Sequence, residues 1–480
     1  MNIVAKLLSI PLFILVIIAT ILFSTGNLQA SLQISLFAFI VNYSIIFLKS
    51  RFVNIFLTIR LIIISLPGFI ANLSWAIDSE IYRGHYLAFF IQTPYITTFI
   101  SIATLYCLLI NTFFIFKFGS NSLILNFYKN REIYKNKSIA ISFKKARYAA
   151  LISVVIGIFY SIRNGFRIIT QTYANPDFDA NFNTPLDSIL GVLQNIFVSI
   201  VITHLWIGVK DKRANKLYTL CLIGYLFPLL SGARCDYIIG SLTLLICIIL
   251  NSKIYKKYTE RIKGESRFFL PITLIILFTY SLIIILRFIS HYRTGYLGYG
   301  FFETIKNIIN PLDFLTIENE GYKTFNLEAL NHVIGSFYSF GYKIFEQGQD
   351  FLWGKSYLEY IFRLIPSFLR QGIDLNYQLE WQTAILGNVV TQGGNLEIAE
   401  AFYNFGFIGV ILVSLINTSL IIFIAKKSSS NLTLMGLFIA ISFESFRYIW
   451  YQNFALFKLL SVFVIFYPFI NYLSPKFIKK

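Results

Sequence analysis

The sequence predicts an all-α polytopic integral membrane protein with about twelve transmembrane helices and one large outward loop. Three observations predict it. Of 480 residues, 56% are hydrophobic and only 13% charged, a balance that a water-soluble domain of this length cannot bury. Apolar runs near span length recur along the chain, joined by short links. A single long hydrophilic interval, Arg287 to Glu400, interrupts them.

In chain order the apolar runs place spans at 7–23, 31–48, 53–71, 95–116, 148–162, 190–209, 217–230, 236–250, 268–286, 401–425, 431–448 and 453–472. The runs at 148–162, 217–230 and 236–250 are short and need support from flanking residues or a partner helix. Leu7–Phe23, preceded by Lys6, has the look of a signal peptide but lacks a small-x-small cleavage site before the next run, so it is read as the first span. This divides the chain into an N-terminal membrane bundle (1–286, nine spans), a large loop with interfacial helices (287–400) and a C-terminal membrane part (401–480, three spans).

Charge tests the count independently, because a missed span would invert every later loop. The formal net charge is +18, which could suggest nucleic acid, yet most of the 41 Lys and Arg fall in alternate links. Such alternation is a topology signal, and no nucleic-acid partner is expected. Lys129–Arg147, Lys210–Lys216 and Lys253–Arg267 are basic, whereas 72–94, 163–189 and 231–235 are nearly bare. Both termini are therefore expected to face the cytoplasm and 287–400 to face outward. Asn136–Ala150 is basic and amphipathic, the pattern of a helix on an anionic leaflet or of a solvated linker. Cys107, Cys221, Cys235 and Cys247 form no CxxC pair, so neither a disulfide framework nor a thiolate metal site is indicated. No internal repeat of the kind found in many transporters is evident.

Arginines outside the basic links are the main candidates for chemistry. Arg234 lies in LLSGARCDYIIGS between two apolar runs; Arg287 and Arg293 follow the ninth span with His291 between them; Arg363 and Arg370 bracket FRLIPSFLR. Guanidinium groups offer fixed donors and keep their charge, which suits phosphate, although each could instead anchor to lipid headgroups. Glu397 and Glu400, in GGNLEIAEAFYNFG, stand at one-turn spacing and would share a helix face at the mouth of the bundle if the tenth helix starts early. Either could take a proton from a sugar hydroxyl or partner an arginine. They are preferred as the base over His291, which would more naturally touch a diphosphate. No HExxH, Walker loop or serine elbow is found in the outward segments, and no metal and no cofactor is expected. Trp353, Trp381 and Trp450 lie toward span boundaries, where amphipathic rings are stable and could also stack on sugars.

Three segments carry a resemblance. In order, LLSGARCDYIIG, FLWGKSYLEYIFRLIPSFLR and GGNLEIAEAFYNFGFIGVILVSL resemble the small-residue-Arg turn, the Gly-x-Ser-Tyr and Ile-Pro element, and the glutamate-bearing approach to an Asn-Phe-Gly-x-x-Gly helix of bacterial O-antigen polymerases. Cys235-Asp236 departs from the small residue that commonly follows the arginine. The resemblance implies a metal-independent glycosyltransferase of the bacterial inner membrane. It would extend an undecaprenyl-diphosphate-linked glycan on the periplasmic face and work with a polysaccharide chain-length regulator. Arg234, Arg287, Arg293, Arg363 and Arg370 would hold the diphosphate. A ligase transferring the same donor to lipid A-core, or a flippase of lipid-linked oligosaccharide, are the alternatives.

Overall fold

A continuous apolar run placed in lipid satisfies its backbone by forming a helix. Helices dominate the computed structural model, which describes residues 2–50, 57, 60–66, 68–69, 72, 94–118, 139–170, 185–208, 212–230, 237–250, 316–319, 322–325, 348, 350–364, 397–428, 431–450 and 454–474. They are α1 (Asn2–Ser24), α2 (Leu28–Ser50), α3 (Pro94–Phe118), α4 (Ile139–Thr170), α5 (Pro185–Gly208), α6 (Lys212–Leu230), α7 (Ile238–Leu250), α8 (Lys355–Leu364), α9 (Glu397–Ser428), α10 (Leu432–Phe443), α11 (Ser445–Trp450), α12 (Phe454–Ile465) and α13 (Tyr467–Leu473). The third expected span is helical at each residue described in it. One antiparallel hairpin pairs β1 (Thr316–Asn319) with β2 (Tyr322–Phe325), Thr316 opposite Phe325 and Asn319 opposite Tyr322.

Among the described residues, four helical stretches are long and apolar enough to cross a membrane: Leu28–Ile46, Thr97–Phe118, Phe143–Ile162 and Glu397–Ser428. A fifth is added if α12 and α13, bent by 73°, are one broken span. The chain is thus a helical membrane protein by the length and composition of its helices. The expected span 268–286 and most of the interval 287–400 lie outside the described residues.

The chain divides into two compact units. The first comprises Met1–Leu125, Leu315–Lys426 and Ser445–Lys458, the second Asn126–Phe314, Lys427–Glu444 and Leu459–Lys480. In the first unit α1, α2 and α3 pack together, and polar side chains cross-link the helices. Ser31 Oγ donates to Ala19 O at 2.7 Å and Thr112 Oγ1 to Asn42 Oδ1 at 3.4 Å. Asn111 of α3 contacts Ser414 and Thr418 of α9, and Cys107 Sγ lies 2.9 Å from Ser414 Oγ. Lipid tails are as apolar as leucine, so helices in lipid associate through such hydrogen bonds and close packing.

The second unit is built around α4. The sequence offered a surface or linker stretch at 136–150 followed by a short span, but the structure runs one helix from Ile139 onward through the described part of that stretch and the span. At 32 residues it is about 48 Å long. No glycine or proline interrupts 139–156, and Ala146, Ala149 and Ala150 are fully buried, so the basic stretch is already a packed helix face. Helices α5 and α6 pack on it. At the α4–α6 crossing a Cβ on Gly157 would stand 2.2 Å from Gly224 O, so only glycine permits this approach. Gln194 of α5 bridges the crossing, Nε2 donating to Ser153 O at 3.0 Å and to Gly224 O at 2.9 Å. His204 is buried with Nε2 2.7 Å from Leu473 O.

Candidate functional site

The site is assembled by a break in α9. Phe405 (φ −138°, ψ 16°) and Gly406 (φ 63°, ψ −152°) leave the helical region, and the latter conformation is open essentially to glycine alone. A straight helix would separate residues 397 and 417 by about 30 Å. Instead Asn417 Nδ2 donates to Glu397 Oε1 at 2.6 Å. The helix therefore folds back, with a short arm at 397–404 lying against a long arm at 407–428. Gly409 accommodates the return, because a Cβ there would stand 2.3 Å from Ala401 O. Phe99 packs on both arms, its ring centroid 4.7 Å from that of Phe402 and 6.4 Å from that of Phe407. The long arm alone, about 33 Å, is sufficient to cross a bilayer.

Breaking a helix strands carbonyls, and in lipid each must be re-satisfied. Residues 350–354 do so: Leu352 N donates to Tyr403 O and Trp353 N to Asn404 O, both at 3.0 Å. The donating loop is tightly turned, with positive φ at Gly348, Trp353 and Gly354, and Trp353 is 72% exposed. Asn404 completes the closure. Its Oδ1 accepts from Gly354 N at 3.0 Å, and its Nδ2 donates to Ser356 Oγ at 2.7 Å and Glu400 O at 2.8 Å. Each named residue of the Asn404-Phe405-Gly406-x-x-Gly409 sequence thus serves the reversal.

The two glutamates share the short arm, as their spacing predicts. Folding back carries Glu397 to a point about 16 Å along the long arm from the turn. The sequence pattern of a single apolar run could not reveal this, since a reversal at Gly406 leaves the run intact. Glu400 is fully buried and its Oε1 accepts from Ser356 Oγ at 2.8 Å and from Tyr360 Oη. Helix α8 thus turns Ser356 and Tyr360 inward while Leu358 and Ile361 are exposed, the arrangement expected of a helix against lipid. Glu397, 2% exposed, pairs with Arg60 Nη2 at 3.3 Å. Arg60 in turn donates from Nη1 to Tyr448 Oη at 3.0 Å and lies 5.4 Å from the Tyr448 ring centroid. Glu397 Oε2 and Arg60 Nε are buried without a hydrogen-bond partner among the described residues.

Arg234, Arg287, His291, Arg293 and Arg370 lie outside the described residues; Arg363 falls in the last turn of α8. Comparison with known protein families, curated proteins and solved structures finds no match. Sequence reasoning passed over Arg60, Asn417 and Tyr448. The signal was there for Arg60, because a cation inside the run FLTIRLIIIS is costly unless partnered and marks function or a specific pair. Among the described residues no group of three or more His, Cys, Asp or Glu could hold a metal ion. Chemically, the cluster offers a carboxylate fixed through one oxygen beside a permanent cation, an arrangement able to accept a proton or hydrogen bond from a hydroxyl at the other oxygen.

Proposed function

We propose that the chain is a glycosyltransferase that polymerises undecaprenyl-diphosphate-linked oligosaccharide repeat units into O-antigen or a related surface polysaccharide, at the outer face of the bacterial inner membrane. One observation carries this reading. The second and third segments that resemble O-antigen polymerases are separate in sequence, yet Gly354, Ser356 and Tyr360 of one bond to Glu400 and Asn404 of the other. Motif residues that converge on one folded unit are expected of a shared site. In the reaction an acceptor hydroxyl oxygen attacks the anomeric carbon of the growing glycan. The bond from that carbon to the carrier's diphosphate breaks, and its electron pair leaves with the diphosphate. Arg234, Arg287, Arg293, Arg363 and Arg370 are the proposed cations for the leaving group, a task that fixed guanidinium groups perform without losing charge. The hydroxyl proton goes to Glu397, whose Oε2 is uncommitted among the described residues, while Glu400 anchors α8.

The test is incubation of the purified protein in lipid vesicles with lipid-linked repeat units and no ATP. Longer lipid-linked glycans are expected, and they should be lost in Arg234→Ala and Arg293→Ala at matched protein level. Arg234→Lys should recover little, because an ammonium cannot reproduce the guanidinium fork. Transfer to lipid A-core without elongation would favour the ligase alternative, and movement of the lipid across the bilayer without any new glycosidic bond would favour a flippase.

A further inference from the structure

The polymerase reading leaves unexplained why a proton acceptor should be tied to an arginine of the third expected span. Two donors, Arg60 Nη2 at 3.3 Å and Asn417 Nδ2 at 2.6 Å, converge on the same oxygen of Glu397. Arg60 is itself held from behind by Tyr448, through its hydroxyl and its ring face. Both members of the pair are 2% exposed. A pair that served only to neutralise buried charge would gain most from bonding both carboxylate oxygens to the guanidinium fork. Here the second oxygen is left out, and so is the guanidinium Nε.

We infer that Arg60 is a positioning residue, which together with Asn417 fixes Oε1 of Glu397 and thereby presents Oε2 to the acceptor hydroxyl. The inference rests on the polymerase reading. The bond changes are those given above: the proton leaves the hydroxyl for Oε2 as the oxygen–carbon bond forms. Arg60 touches neither sugar, and Tyr448 acts one step further back by fixing Arg60.

The experiment measures elongation kinetics of the full chain in vesicles, with lipid-linked repeat unit as substrate, for wild type, Glu397→Gln, Arg60→Lys and Tyr448→Phe, each normalised to folded protein. Arg60→Lys keeps the charge but cannot reach Glu397 and Tyr448 with a fixed fork. It is expected to lower kcat about 10- to 100-fold with KM within about twofold. Tyr448→Phe retains the ring and is expected to lower kcat about threefold to tenfold, again at constant KM. Should Arg60→Lys fail to fold, Tyr448→Phe decides alone. Values of kcat within about twofold of wild type, or losses that only track the folded fraction, overturn the inference. So does full activity of Glu397→Gln. In all of these the wild-type protein still elongates, whereas a wild-type protein that makes no longer glycan removes the polymerase reading itself.

Discussion

The two units hold their helices together by different means. In the first, α9 doubles back and its short arm is fixed by a buried charge pair, Arg60–Glu397, together with hydroxyl and amide bonds. In the second, α4 and α6 meet backbone to backbone at Gly157 and Gly224 and a neutral amide spans the contact. Its buried carboxylate, Glu444, accepts from the amide of Asn195, which Tyr225 orients at 2.6 Å. Close backbone packing stabilises by contact and tolerates little volume. Charge pairing tolerates volume but fails steeply when one partner is lost.

That contrast gives an ordered set of expectations for unfolding of the purified protein in mixed micelles. Glu397→Gln leaves the Arg60 guanidinium buried without its counter-charge and should cost about 3–5 kcal/mol; adding Arg60→Gln should return most of that loss. A single variant as stable as the double would show that charge does not hold the first unit. Gly157→Ala should cost about 1–3 kcal/mol, since the added methyl meets a backbone carbonyl rather than a flexible side chain. Gly406→Ala belongs to the same range of about 1–3 kcal/mol, but from backbone strain, and unchanged stability there would contradict the fold-back. Smallest should be the same Glu→Gln change at Glu444. The amide oxygen of glutamine can still accept from Asn195, so the expected loss is about 1 kcal/mol. Equal losses at 397 and 444 would erase the distinction between the two units.

Helix positions were legible in the sequence because lipid leaves an apolar run little choice. Runs at 7–23 and 95–116 fall within helices, and so does the described part, 190–208, of the run at 190–209. What was not legible is direction. The residues that reverse α9 sit inside a run whose hydropathy is unbroken, and the pattern of apolar residues carries no record of a single φ/ψ excursion at Gly406. For the same reason Glu397 and Glu400 could be set on one helix face but not at their depth or beside their partners. Arg60 was hidden differently. Counting cations in links tests topology, and a cation inside a span drops out of that count.

The Arg60–Glu397 contact also has a consequence for how the protein is made. Its partners are 337 residues apart in the chain. At a synthesis rate of about 5–20 residues per second, Arg60 is complete roughly 20–70 s before its carboxylate exists. Tyr448 arrives later still. Throughout that interval the helix carrying Arg60 has to reside in the membrane, or wait beside it, with an uncompensated guanidinium, so the first unit closes only once the segment from Glu397 to Tyr448 has emerged.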